Sequence, residues 1–281
     1  MFHIVTDSAT DMPPEWEKEF GIEVIPVNIH FGEHTYRQGV DLSNEDFYRL
    51  VDESGTIPKT SQPNPSQFVQ FYQRIAQAGH TILSIHVTSK LSGTFESAVA
   101  AARELAGQFN IIPFDSLCGS AAVGMMCREA RLMERAKASL QQILARLDEI
   151  RRTVRIALTV DRLDYARMSG RVSALQAALA SLLNVKPIIT LHEGTLEMTE
   201  RVRTRGRALE RLVEMLHQQF GQQRLHMAIV HARDPEAAQV LKEKAARLFN
   251  LASLILTELS IGVAANLGPG TVGLVAYPSK E

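Results

Sequence analysis

Residues Thr81 to Glu96, TILSIHVTSKLSGTFE, decide the reading of this chain: an apolar, β-branched segment runs into a short polar loop that opens a helix. Thr81 to Val87 has the composition of a buried strand. From Thr94 to Leu105 the apolar residues Phe95, Ala98, Val99, Ala102 and Leu105 recur at helical spacing. The join is Ser92-Gly93-Thr94. A glycine there lets a ligand approach the main chain, and the unpaired amides of the first helical turn stand beside the Ser92 hydroxyl. That arrangement favours an anion. An ordinary Ser or Thr cap on an ordinary helix accounts for the same residues, so the stretch speaks more clearly about local fold than about ligand.

The pattern repeats on either side. Phe2 to Thr6 reads as a buried strand ending in Asp7-Ser8, and polar groups at that end of a parallel strand lie where α/β sheets bind ligands. Val24 to Phe31 is a second apolar run before a hairpin turn at Gly32-Glu33, and Asn44 to Glu53 has the pattern of a short amphipathic helix. Lys59 to Pro63 is a polar loop stiffened by Pro58, Pro63 and Pro65, with a helix from about Ser66 to Ala78. With Asn110 to Asp115 as a further strand, these strand and helix pairs predict a parallel sheet covered by helices.

Gly119 to Arg152 is mostly helical in pattern, and a domain boundary follows it, giving domains 1–153 and 154–281. The second domain opens with the strand Arg155 to Val160 and a loop at Met168 to Ser173. Ser173 to Leu183 is expected to be a helix apolar on most faces, buried in a core or lining an apolar cavity. Pro187 to His192 and Leu196 to Arg203 form a hairpin about Glu193-Gly194. Helix Arg205 to Phe220, strand Leu225 to Val230, helix Pro235 to Phe249 and strand Ser253 to Leu259 follow. Gly262 to Gly270 reads as a Gly- and Ala-rich loop, and Thr271 to Tyr277 as the last strand.

With 281 residues, 45% hydrophobic and 22% charged, the chain has the composition of a globular protein that can bury two cores. Lys and Arg number 30 against 31 for Asp and Glu, so no overall field recruits nucleic acid or an anionic membrane, and any anion site is local. No secretory signal and no run of about 18 apolar residues is present. Cys118 and Cys127 lack a CxxC spacing, in keeping with a reducing cytoplasm. No GxSxG, HExxH, GxxxxGK[ST] or strand-linked GxGxxG occurs, and His30 and His34 lie across a turn and make no metal signature.

Five ordered motifs resemble those of the DegV family of bacterial lipid-binding proteins: Thr6 to Asp11, Lys59 to Pro63, Leu91 to Thr94, Ser169 to Ser173 and Gly268 to Leu274. Each is weak alone, whereas their order across nearly the whole chain is specific. The resemblance implies a cytoplasmic carrier of two α/β domains, the first with a mostly parallel sheet. It further implies a lipid tunnel, formed largely by the second domain, and a headgroup site near the domain interface. One long-chain fatty acid, such as palmitate, stearate or oleate, is the implied ligand, with no cofactor or metal. In family members similar to the fatty-acid-binding subunit of bacterial fatty acid kinase, a separate kinase subunit converts the presented acid to an acyl phosphate for phospholipid metabolism. Transient contact with a membrane is compatible with that role.

By the same resemblance the carboxylate falls to Thr60 and Ser92, with Ser61, Gly93 and Thr94 assisting. Asn266 stands where many members have a histidine of the headgroup network. Asparagine donates and accepts hydrogen bonds but carries no proton at neutral pH, which bears on kinase coupling more than on binding. Arg171 corresponds to the arginine of a Gly-Gly-Arg motif and is expected near the site mouth or at a partner. Arg201, Arg203, Arg205 and Arg207 alternate on and after a strand, so at least two share a face, and Arg201 and Arg203 are expected to contact a partner or the site mouth, solvated surface charge being the plainer reading. Two alternatives remain: a fatty-acid sensor or store without a kinase, and an acyl hydrolase with Ser92 as nucleophile and His86 as base.

Overall fold

The structure, a computed structural model, describes residues 2–172 and 185–280. The expected helix Ser173 to Leu183 lies outside the described residues. The chain divides into two compact units, Met1–Arg151 with Ser260–Gly262, and Arg152–Leu259 with Val263–Glu281. The return of Ser260–Gly262 to the first unit interrupts the continuous second domain expected from the sequence.

In the first unit, β1 (Phe2–Asp7), β2 (Ile22–Ile25), β6 (Thr81–His86) and β7 (Asn110–Asp115) form an all-parallel sheet in the order β2-β1-β6-β7. Ile4, Val5, Ile82, Leu83 and Ile85 are fully buried, as expected of strands covered on both faces. The pleat sorts their neighbours. Val5 and Ile82 pack with Phe68 and Tyr72 of α3 (Pro65–Ile75) and Ala98 and Ala101 of α4 (Thr94–Glu104). The intervening residues turn to the opposite face, where α5 (Ala121–Arg135) packs on β1 and β6. Helix α3 starts sharply because Asn64 and Gln67 form a reciprocal capping box and Pro65 occupies the first turn.

The apolar run Val24 to Phe31 is not one strand. Pro26 cannot donate to a ladder, and the chain divides there into β2 and β3 (Asn28–Phe31), which belong to different sheets. β3 pairs with β4 (His34–Arg37) through the expected Gly32-Glu33 turn, and with β5 (Lys59–Ser61) on its other side, both antiparallel. The supposed loop at Lys59 to Ser61 is therefore an edge strand. α1 (Glu15–Phe20), α2 (Asn44–Ser54) and α6 (Leu140–Thr153) complete the unit.

The second unit carries a six-stranded sheet in the order β10-β9-β8-β13-β11-β12, whose only parallel pair is β11 with β12. Its strands are β8 (Arg155–Thr159), β9 (Lys186–His192), β10 (Thr195–Val202), β11 (Arg224–His231), β12 (Asn250–Glu258) and β13 (Val272–Pro278). The β9–β10 hairpin turns on Glu193 and Gly194, both at positive φ (46° and 85°), the backbone that a two-residue hairpin demands. Helices α8 (Arg205–Phe220) and α9 (Pro235–Leu248) bury Leu209, Leu212, Leu216 and Leu241 with Met227, Ile229 and Leu274 of the sheet. Two short helices stand where loops were expected, α7 (Leu163–Ser169) and α10 (Ile261–Leu267).

Candidate functional site: an uncapped helix start with unspent donors

Between β6 and α4 the main chain is held by its own bonds, with the Leu91 and Ser92 amides donating to the Thr88 carbonyl at 3.2 and 3.3 Å. The Ser89 amide donates to Asp115 at 3.2 Å. Gly93 is the cap residue of α4, and no side chain caps the helix. The amides of its first turn are therefore without intrahelical partners. Ser92 Oγ and Thr94 Oγ1 lie 2.8 Å apart. Thr94 is fully buried and Ser92 only half-buried, so the economical arrangement has Thr94 donating to Ser92, which leaves the Ser92 proton for an acceptor outside. A helix start with free amides and an outward hydroxyl suits an anion with several acceptor lone pairs, the first-turn Glu96 being turned to solvent.

Gly93 has φ −77° and ψ 14°, which any residue adopts, so conformation does not require glycine. Its neighbour is a side chain: a β-carbon there would stand 2.8 Å from Gln62 Nε2, the far end of a glutamine that would have to shift. The segment following β5 thus lies against the α4 start. Thr60 pairs with Ile29 and Ser61 with Asn28, so Thr60 and Ser61 turn to opposite faces of the small sheet. Ser61 Oγ is bonded to His30 Nε2 at 2.8 Å and receives Asn28 Nδ2 at 3.4 Å. The Ser61 hydroxyl, expected to assist beside Thr60, is engaged on the His30 face. Gln62, two residues on from Thr60, is the residue that reaches Gly93.

His86 cannot serve Ser92. Its Nδ1 lies 3.0 Å from Asp7 Oδ2 and its Nε2 lies 2.7 Å from Ser84 Oγ, which in turn lies 2.8 Å from the Tyr72 hydroxyl. Because the carboxylate only accepts, Nδ1 carries the proton and the chain runs Tyr72 to Ser84 to His86 to Asp7. All four side chains are fully buried, and burial pushes the Tyr72 hydroxyl well above its usual range. The arrangement looks like a nucleophile, base and acid but has no access to substrate. It braces β1 against β6 beneath α3, and it removes the base that the hydrolase alternative needs.

The Asp7 to Asp11 loop, expected at a ligand-binding strand end, is likewise spent inside the fold. Asp7 Oδ1 accepts the Ala9 amide at 3.1 Å, Ser8 Oγ the Val27 amide at 2.9 Å, and Thr6 and Thr10 share a 2.9 Å bond. Asp11 receives the Ser120 hydroxyl and, at 2.6 Å, the Ser260 amide. Gln38 bridges the Ser8 carbonyl (2.6 Å) and the Gly262 amide (2.8 Å). Burial lifts the Asp11 carboxyl to about 6, against the pull of those hydrogen bonds.

Asn266, Arg171, Arg201 and Arg203 belong to the second unit. Asn266 lies in the last turn of α10, ahead of a turn in which Gly268 and Gly270 have φ of 85° and 79°. A β-carbon at Gly268 would meet Tyr165 at 2.9 Å and one at Gly270 would meet Asp161 at 2.6 Å, so the terminal glycine motif is a packed turn. Arg171 donates to the Ser169 carbonyl at 2.6 Å, and burial alone pushes its pKa below the usual arginine value. Arg201 and Arg203 are exposed. The arginine series does not continue as a patch: Arg205 bonds Asp234 at 2.6 Å and the Gly270 carbonyl at 2.5 Å, and Arg207 pairs with Glu214 at 2.7 Å. Among the described residues no group of three or more His, Cys, Asp or Glu could hold a metal ion, and no helix is long and apolar enough to cross a membrane.

These features define a protein of two α/β units, the first with a parallel sheet that leads into a helix start without a side-chain cap. A sequence profile described as an uncharacterised protein of the DegV family matches residues 1–279. A DegV domain-containing protein of Listeria innocua is 33% identical over 273 residues, covering 96% of each chain. A DegV family protein of Thermus thermophilus, solved in a study of its fatty acid binding, superposes with a TM-score of 0.89 at 31% identity over 99% of both chains. DegV of Bacillus subtilis, described as a fatty acid binding protein, does so with a TM-score of 0.85 at 30% identity, again over 99% of both. The chain belongs to the DegV family.

Proposed function

We propose that this protein binds one long-chain fatty acid, its carboxylate received at the start of α4 by Ser92 and the Gly93 and Thr94 amides, with Thr60 assisting. The observation that carries this is the uncapped α4 start with the unspent proton of the Ser92 and Thr94 pair, in a family whose Thermus and Bacillus members are described as binding fatty acids. The ligand class divides the labour. Burying a 16-carbon tail at about 0.8 kcal/mol per methylene is worth at most about 12 kcal/mol before ordering costs. Hydrogen bonds to a charged group contribute about 1.5 to 3 kcal/mol each. The tail sets affinity, and the α4 start sets orientation and selects acids.

The bound acid is then presented, in this reading, to a separate kinase subunit, where a carboxylate oxygen attacks the terminal phosphorus of ATP and ADP departs. The chain itself has no GxxxxGK[ST] loop, so nucleotide chemistry falls to the partner. Arg171, short of solvent and without a carboxylate among the described residues, and the exposed Arg201 and Arg203 are the proposed contacts at the site mouth or with that partner. Asn266 favours a second reading, a sensor or store without kinase coupling, because it brings no titratable group. Reconstitution with a cognate kinase separates the two readings through acyl phosphate formation.

Native mass spectrometry of the purified protein tests the shared claim. The expected result is one bound fatty acid per chain; no bound lipid and no uptake of added palmitate or oleate would overturn it.

A further inference from the structure

We propose that Gln62 is a specificity-determining residue of the α4 site, its side-chain amide donating to the carboxylate so that acids are admitted in preference to their esters. The inference rests on the fatty-acid reading above. Three observations carry it. Gln62 Nε2 and Cδ lie 2.8 and 3.2 Å from where a Gly93 β-carbon would stand, so the amide occupies the space over the helix start that glycine leaves open. Among the described residues this amide has no hydrogen bond, although the Gln62 main-chain carbonyl takes Asn28 Nδ2 at 3.5 Å. The main chain beneath it is fixed on both sides, by the β5 pairing with β3 and by the Asn64 and Gln67 capping box.

A neutral amide that is exposed to solvent, with both protons unspent on the protein, adds donors without the cost of a second desolvated charge. An ionised carboxylate accepts through both oxygens, whereas a methyl ester offers a weaker acceptor and a methyl group where the amide stands. Thr60 and Ser92 alone give the site hydroxyls, which donate or accept with equal ease. Gln62 supplies a group that can turn a donor toward the acid.

The test uses the full chain with palmitate and methyl palmitate as probes. Gln62→Glu keeps the shape and replaces the donor by a negative charge, and Gln62→Met keeps the bulk with no donor. Acid affinity is expected to fall about 30-fold in the first and about 5-fold in the second, while ester affinity changes less than about 2-fold in either. Gly93→Ala, which drives a methyl into the amide, is expected to weaken acid binding, and adding Gln62→Ala is expected to restore part of it. An unchanged preference for acid over ester in both Gln62 variants, with wild type binding the acid, overturns the role of Gln62 alone. Wild type binding neither probe overturns the fatty-acid reading together with it.

Discussion

Two loops leave the carboxyl ends of adjacent parallel strands in the first unit, one after β1 and one after β6, and they put similar residues to opposite uses. After β1, the side chains of Asp7, Ser8, Thr10 and Asp11 are all buried and all bonded within the fold. After β6, Ser92 and Thr94 are bonded only to each other by their side chains, at the start of an uncapped helix. The glycines divide in the same way. A β-carbon at Gly124 of α5 would strike Met12 Cβ at 2.8 Å, an atom fixed to the main chain, whereas one at Gly93 meets the far end of a glutamine. What separates scaffold from candidate site here is whether the polar groups have already found partners, which composition does not reveal.

Breaking the β1 loop should give the largest effect. Asp7→Ala leaves the Ala9 and Val87 amides and His86 Nδ1 without their acceptor, and a loss of about 3 to 5 kcal/mol is expected in urea unfolding. Asp11 gives the next. Its carboxyl is raised from 3.8 to about 6, so its protonated form favours the folded state. That contribution is fully present below pH 4 and is lost as pH rises through 6, a swing on the order of 3 kcal/mol. Asp11→Asn keeps an acceptor for the Ser260 amide and does not titrate, so its melting temperature relative to wild type should climb between pH 4 and pH 7. Gly124→Ala should cost about 1 to 3 kcal/mol by overpacking. Ser92→Ala should be the mildest for the fold, costing about 1 kcal/mol, because only the buried Thr94 hydroxyl loses its partner. An equal loss of stability in Ser92→Ala and Asp7→Ala would erase the distinction between the loops.

The sequence is most legible where structure is local. Buried β-branched runs followed by helical spacing give β6 and α4, and Glu193-Gly194 gives the hairpin of the second unit. What escapes is set by distant partners. β5 has three residues and exists through its bonds to β3, some 30 positions upstream. The first amides of the α10 segment are taken by Asp11 and Gln38, 249 and 224 residues away along the chain, and its Gly and Ala content alone reads as a loop. At the site, Ser92 and Thr60 stand out through motif order, but Ser61 is diverted by His30, a partner from another strand. Arg205 is absorbed by Asp234 and Gly270 for the same reason. Gln62 does not stand out because Lys59 to Pro63 reads as a polar loop, and its approach to Gly93 is set by residues some 30 positions apart.

The most direct measurement compares the affinities of wild type and Ser92→Ala for palmitate and for methyl palmitate under conditions where both proteins are folded. With the acid held at the α4 start, wild type prefers the acid and the variant loses about 10-fold in acid affinity at an unchanged ester affinity. Equal acid affinity in the two proteins would contradict a headgroup site at Ser92.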